Sequence, residues 1–140
     1  MSRLYQLTTN QTMTTTLKKI EYSEKTVKRA SSALSCSPFK LKLFEAMQNH
    51  SIPLPTIADE RGIENNYTRY AIAENRAESN LVWLINVGLL RREVDGQGLT
   101  DSFRLTPLGR QIIARWKDRE IPQPTLKDRV LNWLNRWLLR

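Results

Sequence analysis

The sequence is poor in the residues from which reactive sites are usually built. It contains one cysteine, Cys36, and one histidine, His50. A single thiol excludes a disulfide framework and indicates a reducing compartment, and a single histidine at a predicted helix end offers little to a metal cluster or a catalytic triad. The sequence also contains no phosphate-binding loop and no nucleophile–base constellation. We therefore expect neither an enzyme nor a bound metal or cofactor.

Long apolar runs are missing too. No stretch of the 140 residues is apolar over the roughly 20 residues that a membrane-spanning helix needs, and the chain does not open with a signal-peptide pattern. These absences predict a soluble protein of the cytoplasm. With 40% hydrophobic residues, the chain is expected to form one domain with terminal arms.

Basic residues outnumber acidic ones, but they are unevenly placed. The formal net charge is +8, which favours an anionic partner. Residues 1–36 carry +4 and residues 101–140 carry +5, whereas residues 37–100 carry −1. Because phosphate neutralisation supplies most of the affinity for DNA, this distribution weakens the case for simple DNA binding through the middle of the chain.

Composition and periodicity divide the chain into four segments. Residues 1–16 are rich in threonine and predict an arm. Residues 17–36 predict a basic amphipathic helix that ends in a serine-rich linker. Residues 37–120 are expected to form the main domain, and residues 121–140 a terminal amphipathic helix.

The most informative pattern is a helix end followed by two strands and a helix start. Gly88 closes a helical pattern, since glycine adopts the left-handed conformation at little cost. Residues 90–94 alternate in polarity, residues 95–98 have turn chemistry, and residues 103–105 alternate again. Thr106-Pro107 then predicts a capped helix start.

This region, Gly88-Leu89-Leu90-Arg91 followed by Leu105-Thr106-Pro107-Leu108-Gly109-Arg110, resembles the winged helix-turn-helix family. The similarity is closest to bacterial repressor-like regulators with a "GL-L-R … L-T-P-L-G-R" signature. It implies a mainly α fold with a small β-hairpin wing, extended here by helices at both termini. A generic hairpin followed by a capped helix is the alternative.

A second match lies upstream. Residues 56–63 are similar to the first helix and the turn of repressor-type helix-turn-helix units, with Gly62 at the sharp turn. The first helix of the main domain is expected to start at Ser37-Pro38. The second helix of the unit is predicted to run from about Asn65 to Val87 in one piece, with a break near Glu74-Asn75 as the alternative.

The resemblance implies that the helix after Gly62 enters the major groove of DNA. Asparagine pairs well with adenine and arginine with guanine, so one polar stripe of this helix supplies the candidate base contacts. They are Asn65, Asn66, Arg69, Arg76 and Asn80. Basic residues near the first helix and on the wing are expected to hold phosphates. They are Lys40, Lys42, Arg91, Arg92 and Arg104.

The terminal helix has a broad apolar face that needs a cover. The resemblance favours a second copy of the chain, and therefore a homodimer. A helix with tryptophans and basic residues can also lie on a membrane surface, which we rank well below the dimer. The residues of this predicted dimerisation face are Leu126, Val130, Trp133, Leu134, Trp137 and Leu138.

Two functions therefore stand as hypotheses. The first is a dimeric, DNA-binding transcriptional regulator. The second is a winged-helix module for protein–protein interaction in a larger nucleoprotein assembly, with weak nucleic-acid contact through its basic flanks. Steep salt dependence and sequence preference in duplex binding would favour the first.

Overall fold

The structure is a computed structural model that describes residues 21–116 and 121–138. The predicted arm (1–16), the start of the predicted N-terminal helix and its residues Leu17 and Ile20 lie outside the described residues. Within them the fold is mixed, with six α-helices and one three-stranded antiparallel sheet. The helices are α1 (Glu24–Cys36), α2 (Leu41–Ala46), α3 (Asp59–Glu64), α4 (Glu74–Asn86), α5 (Pro107–Ala114) and α6 (Leu126–Leu138).

The sheet has the strand order β1-β3-β2, with β1 (Ile52–Pro53), β2 (Leu90–Asp95) and β3 (Gly98–Leu105). The predicted hairpin is present as β2 and β3, with Leu90 opposite Leu105. Its partner β1 was not among the predicted strands. Ile52 pairs with Phe103, so a segment between α2 and α3 closes the sheet on the side opposite β2.

One hydrophobic core joins the helices to the sheet. Its largest fully buried members include Phe39, Phe44, Phe103 and Leu84. Helix α1 contributes Ala30, Ala33 and Leu34 to the same cluster. By contrast, α6 has no buried residue. The core therefore includes the N-terminal helix, while the C-terminal helix lies on the surface.

The junction between α4, the hairpin and α5 follows the sequence pattern closely. Gly88 has a φ of +88° immediately after α4, as a glycine cap requires. Thr106 caps α5: its Oγ accepts a hydrogen bond from the Gly109 backbone N at 3.0 Å. The same hydroxyl donates to the carbonyls of Gly88 and Leu89. One side chain thus connects the end of α4 to the start of α5.

We expect Thr106→Ala to lower the free energy of unfolding by about 1–2 kcal/mol, the usual effect of losing such a cap. Urea denaturation followed by circular dichroism measures it. Thr106→Ser keeps the hydroxyl and serves as the matched control, which should lose much less. Equal losses in the two variants would contradict the capping role.

Two predicted boundaries near the N-terminus are wrong. The serines assigned to a linker belong to α1, which continues to Cys36. Ser37 does not cap α2: its Oγ donates to the Leu34 carbonyl at 2.7 Å and so ends α1. Pro38 to Lys40 stay extended, because the Lys40 N–H donates to the Tyr67 carbonyl at 2.8 Å and Phe39 bridges to Thr68. Helix α2 begins only at Leu41.

The single helix predicted from Asn65 to Val87 is also wrong, and so is the alternative of two helices with a break near Glu74-Asn75, because residues 65–73 form no helix. Helix α3 ends at Glu64, and α4 begins at Glu74. Asn66 takes a left-handed φ of 62°, which a helix interior excludes. The connecting segment is held by tertiary hydrogen bonds instead, including one from the Asp59 N–H to the Ile72 carbonyl at 2.7 Å. Glu74 falls in the first turn of α4, where a carboxylate suits the helix dipole.

Among the described helices, none combines the length and the apolar character needed to cross a membrane. The described residues also contain no group of three or more histidine, cysteine, aspartate or glutamate side chains placed to hold a metal ion.

Candidate nucleic-acid interface

Three cations meet beside the segment that leads into α4. Lys40, Lys42 and Arg69 line a cleft of about 320 Å³ together with Asn66; we call these four residues the basic cleft. They converge because the start of α2 pairs with the segment before α4: the Arg69 N–H donates to the Pro38 carbonyl at 3.2 Å. Within the described residues, none of the three cations is paired with a carboxylate. The cleft can therefore bind an anion.

The two asparagines predicted to read bases have structural partners. Asn65 ends α3, and its Nδ2 donates to the Thr56 carbonyl at 2.9 Å. Asn66 accepts a hydrogen bond from Lys40 Nζ at 2.5 Å. Both therefore lie before α4, and Asn66 contributes to the basic cleft by orienting Lys40.

The exposed side of α4 carries few charges. Arg76 is exposed in its first turn, next to Asn75, and Ser79 follows one turn later. Asn80 is half-buried: its Nδ2 donates to the Arg76 carbonyl at 3.0 Å, and its Oδ1 accepts from Arg136. Of the predicted base contacts, Arg76 is thus the one that lies exposed on α4.

Two of the three hairpin arginines are neutralised within the fold. Arg92 contacts Glu78 at 3.7 Å and Asp101 at 3.5 Å. Its guanidinium also lies 5.0 Å from the centre of the Phe103 ring. Arg104 pairs with Glu93 at 3.5 Å. Arg91 is exposed, and it is therefore the hairpin arginine best placed for a phosphate.

The polar side of α6 faces the rest of the domain. Asp128 Oδ1 accepts a hydrogen bond from Ser32 of α1 at 3.2 Å. Asn132 accepts one from the Trp83 indole N–H of α4 at 2.9 Å, and Arg136 donates to Ser79 at 3.3 Å. These residues recur every four positions, so they form one stripe. The stripe attaches α6 to both α1 and α4.

Asp128 also completes the start of α6. It accepts a hydrogen bond from the Thr125 N–H at 3.1 Å, and its own N–H donates to the Thr125 hydroxyl at 3.1 Å, as in a capping box. The hydrogen bond from the Thr125 backbone lowers the pKa of Asp128 below its ordinary value. The carboxylate is therefore ionised at neutral pH while it holds α6 in place.

The apolar side of α6 faces away from the domain. Trp133 and Trp137 are 64% and 68% exposed, and their rings stack with centroids 6.4 Å apart. We call this surface the outer face of α6. It consists of Leu126, Val130, Trp133, Leu134, Trp137 and Leu138, all of them exposed. These are the residues predicted to form a homodimer, and the homodimer stays a prediction.

Two sets of residues were not predicted from the sequence. No contact was predicted for Asn132 and Arg136, although their four-residue spacing from Asp128 marks a polar stripe. Asn75 and Ser79 were not predicted either, because the predicted polar stripe included Asn65 and Arg69, which lie before α4.

The comparisons with known proteins assign a family. A family model described as Npun_F0494-like matches residues 20–136. No curated protein and no solved structure matches the sequence.

Proposed function

The chain belongs to the Npun_F0494-like family, and we propose that it is a winged helix-turn-helix protein that binds double-stranded DNA. Helix α4 is the recognition helix, and the β2–β3 hairpin is the wing. The observation that carries the proposal is the basic cleft beside the segment leading into α4, whose three cations have no carboxylate partner among the described residues.

The order of the elements supports this assignment. A helix, a short strand, two helices and a hairpin follow one another, and the short strand pairs with the hairpin. The helix pair followed by a hairpin is what the sequence resemblance implies, whereas the short strand was not predicted. In such folds, the N-terminal part of the second helix of the pair contacts base edges. Here that part contains Asn75 and Arg76, both of them exposed.

The proposal divides the contacts into two kinds. Lys42 and Arg69 belong to the basic cleft, which lies beside the segment before α4. In this proposal they contact phosphates and fix the register. Arg76 lies on the exposed first turn of α4, so it contacts a base edge. Removing a phosphate contact lowers the affinity for all DNA sequences alike, whereas removing a base contact changes the preference among sequences.

We expect Arg76→Ala to weaken binding to a duplex selected from random sequences by about 1–3 kcal/mol, with a smaller loss on unrelated DNA. Lys42→Ala and Arg69→Ala should each weaken binding to both duplexes. Each should also reduce the slope of the logarithm of the binding constant against the logarithm of the salt concentration by about one in magnitude. Fluorescence anisotropy at several salt concentrations measures all three. Lys25→Ala removes a cation from a different groove and serves as the matched control.

If Arg76→Ala, Lys42→Ala and Arg69→Ala all bind like the wild type, the basic cleft and α4 do not contact DNA. In that case the second candidate function gains support, a winged-helix module that binds another protein. The specific observation in its favour is Glu74, an exposed carboxylate in the first turn of α4. A carboxylate at this position repels phosphates and suits a basic protein surface.

A further inference from the structure

A groove of about 570 Å³ runs between α1 and α6 and opens beside the outer face of α6. Its apolar lining comes from α6, including Val130, Leu131 and Leu134. The described residues that line the groove include four cations, Lys25, Lys28, Arg29 and Lys127. They include no carboxylate.

The arrangement of α6 is the reverse of what a surface helix usually shows. Such a helix normally turns its apolar stripe toward the core and its polar side toward solvent. Here Asp128, Asn132 and Arg136 bond to the domain, and no residue of α6 is buried. Because the carboxylate of Asp128 faces α1, the exposed side of the helix combines apolar residues with a positively charged border.

We propose that the outer face of α6 and the adjoining cations dock on the surface of an anionic lipid bilayer. Helices of this kind lie in the interface with the apolar face among the acyl chains and the cations near the headgroups. Two tryptophans stand on this face, and tryptophan is enriched at membrane–water interfaces. Lys25, Lys28 and Lys127 then face lipid phosphates, where each basic residue adds to binding.

Charge complementarity selects the bilayer over a second copy of the chain. A two-fold symmetric contact presents the same surface from both partners, so the groove cations of the two copies would approach one another. No carboxylate among the described lining residues could offset that repulsion. An anionic bilayer supplies both the negative charge and the apolar cover.

The dimensions of α6 make the contact peripheral. The helix has 13 residues, whereas a membrane-spanning helix needs about 20. The contact therefore leaves α6 attached to α1 and α4 along its polar stripe.

The test is cosedimentation of the full chain with phosphatidylcholine vesicles, either pure or mixed with phosphatidylglycerol. We expect binding to the mixed vesicles, weak binding to the pure ones, and a decrease on adding salt. Trp133→Ala combined with Trp137→Ala should lower the partition coefficient at least about tenfold. Both side chains are largely exposed, so circular dichroism should show an unchanged fold.

Matched controls separate this surface from the proposed DNA-binding one. Leu99→Ala removes an apolar residue that is 74% exposed on the hairpin, and it should leave vesicle binding unchanged. Lys25→Ala combined with Lys28→Ala should lower binding to mixed vesicles more than Lys40→Ala combined with Lys42→Ala does. The opposite ranking would show that the basic cleft, not the α1–α6 groove, attracts the lipid.

Three results would overturn the proposal. The first is that the wild type does not bind mixed vesicles, and the second is that the double tryptophan variant binds them as well as the wild type does. The third is that the wild type is a dimer that binds no lipid, and that the double tryptophan variant is a monomer. Analytical ultracentrifugation distinguishes the last result, which would assign the outer face to self-association.

Discussion

Gly62→Ala is expected to destabilise the fold by about 3 kcal/mol or more, at the upper end for overpacking. A Cβ built at this position lies 2.1 Å from the Ile57 carbonyl oxygen and 2.7 Å from Thr68 Oγ. The first neighbour is backbone, so it cannot rotate away. The Gly62 carbonyl also accepts hydrogen bonds from Tyr67 and Thr68, so any shift of α3 moves the segment before α4.

The same substitution should therefore disturb the basic cleft. Arg69 follows Thr68 directly, and its position depends on that segment. Urea denaturation gives the loss in stability, and Gly96→Ala is the matched control because its added Cβ meets nothing within 4 Å. A Gly62→Ala variant as stable as Gly96→Ala would mean that α3 and the following segment pack less closely than described.

Phe103→Ala is the second substitution with a large expected effect, a loss of about 3–5 kcal/mol. Phe103 is fully buried in the central strand β3, between Ile52 of β1 and Arg92 of β2. Removing its ring leaves a cavity in the core. It also removes the aromatic surface that lies 5.0 Å from the Arg92 guanidinium. Because small domains are stable by about 5–15 kcal/mol, the variant approaches the limit of folding.

Thermal and urea denaturation of the Phe103 variant should show this loss. Leu99→Ala on the same strand is exposed and should stay within about 0.5 kcal/mol of the wild type. A loss below about 1.5 kcal/mol for Phe103→Ala would indicate that the sheet does not contribute to the core as described.

Local chemistry predicted much of the second half of the fold. Gly88, the turn at residues 95–98 and Thr106-Pro107 each specify one conformation through their own side chains or lack of one. The observed hairpin and α5 follow these signals. The start of α6 at Leu126 follows from Thr125 and Asp128 in the same way.

The first half could be predicted less well because long-range contacts decide it. The residues after Gly62 have a helical pattern, yet Phe39 pairs with Thr68 and keeps both segments extended. The pairing of Ile52 with Phe103 joins residues about 50 positions apart. Neither contact has a periodicity that a sequence alone displays.

The candidate site shows the same division. A list of basic residues treats Lys42 and Arg92 alike, but the fold leaves Lys42 at an open cleft and surrounds Arg92 with Glu78 and Asp101. Likewise, the apolar face of α6 was evident from periodicity, whereas its outward orientation depends on which partners its polar stripe finds. Charge and amphipathicity identify candidates, and tertiary contacts decide which of them stay accessible.

Helix α6 is attached by hydrogen bonds and by half-buried side chains such as Leu131, and it has no buried residue. Each such bond contributes only about 1 kcal/mol net, and the apolar contribution of the helix is small because none of its residues is buried. The C-terminal helix therefore opens at a lower free energy than the body of the fold. When it opens, the Trp83 indole loses its Asn132 partner, so a local detachment at one end of the chain uncovers the back of α4 while the core stays folded.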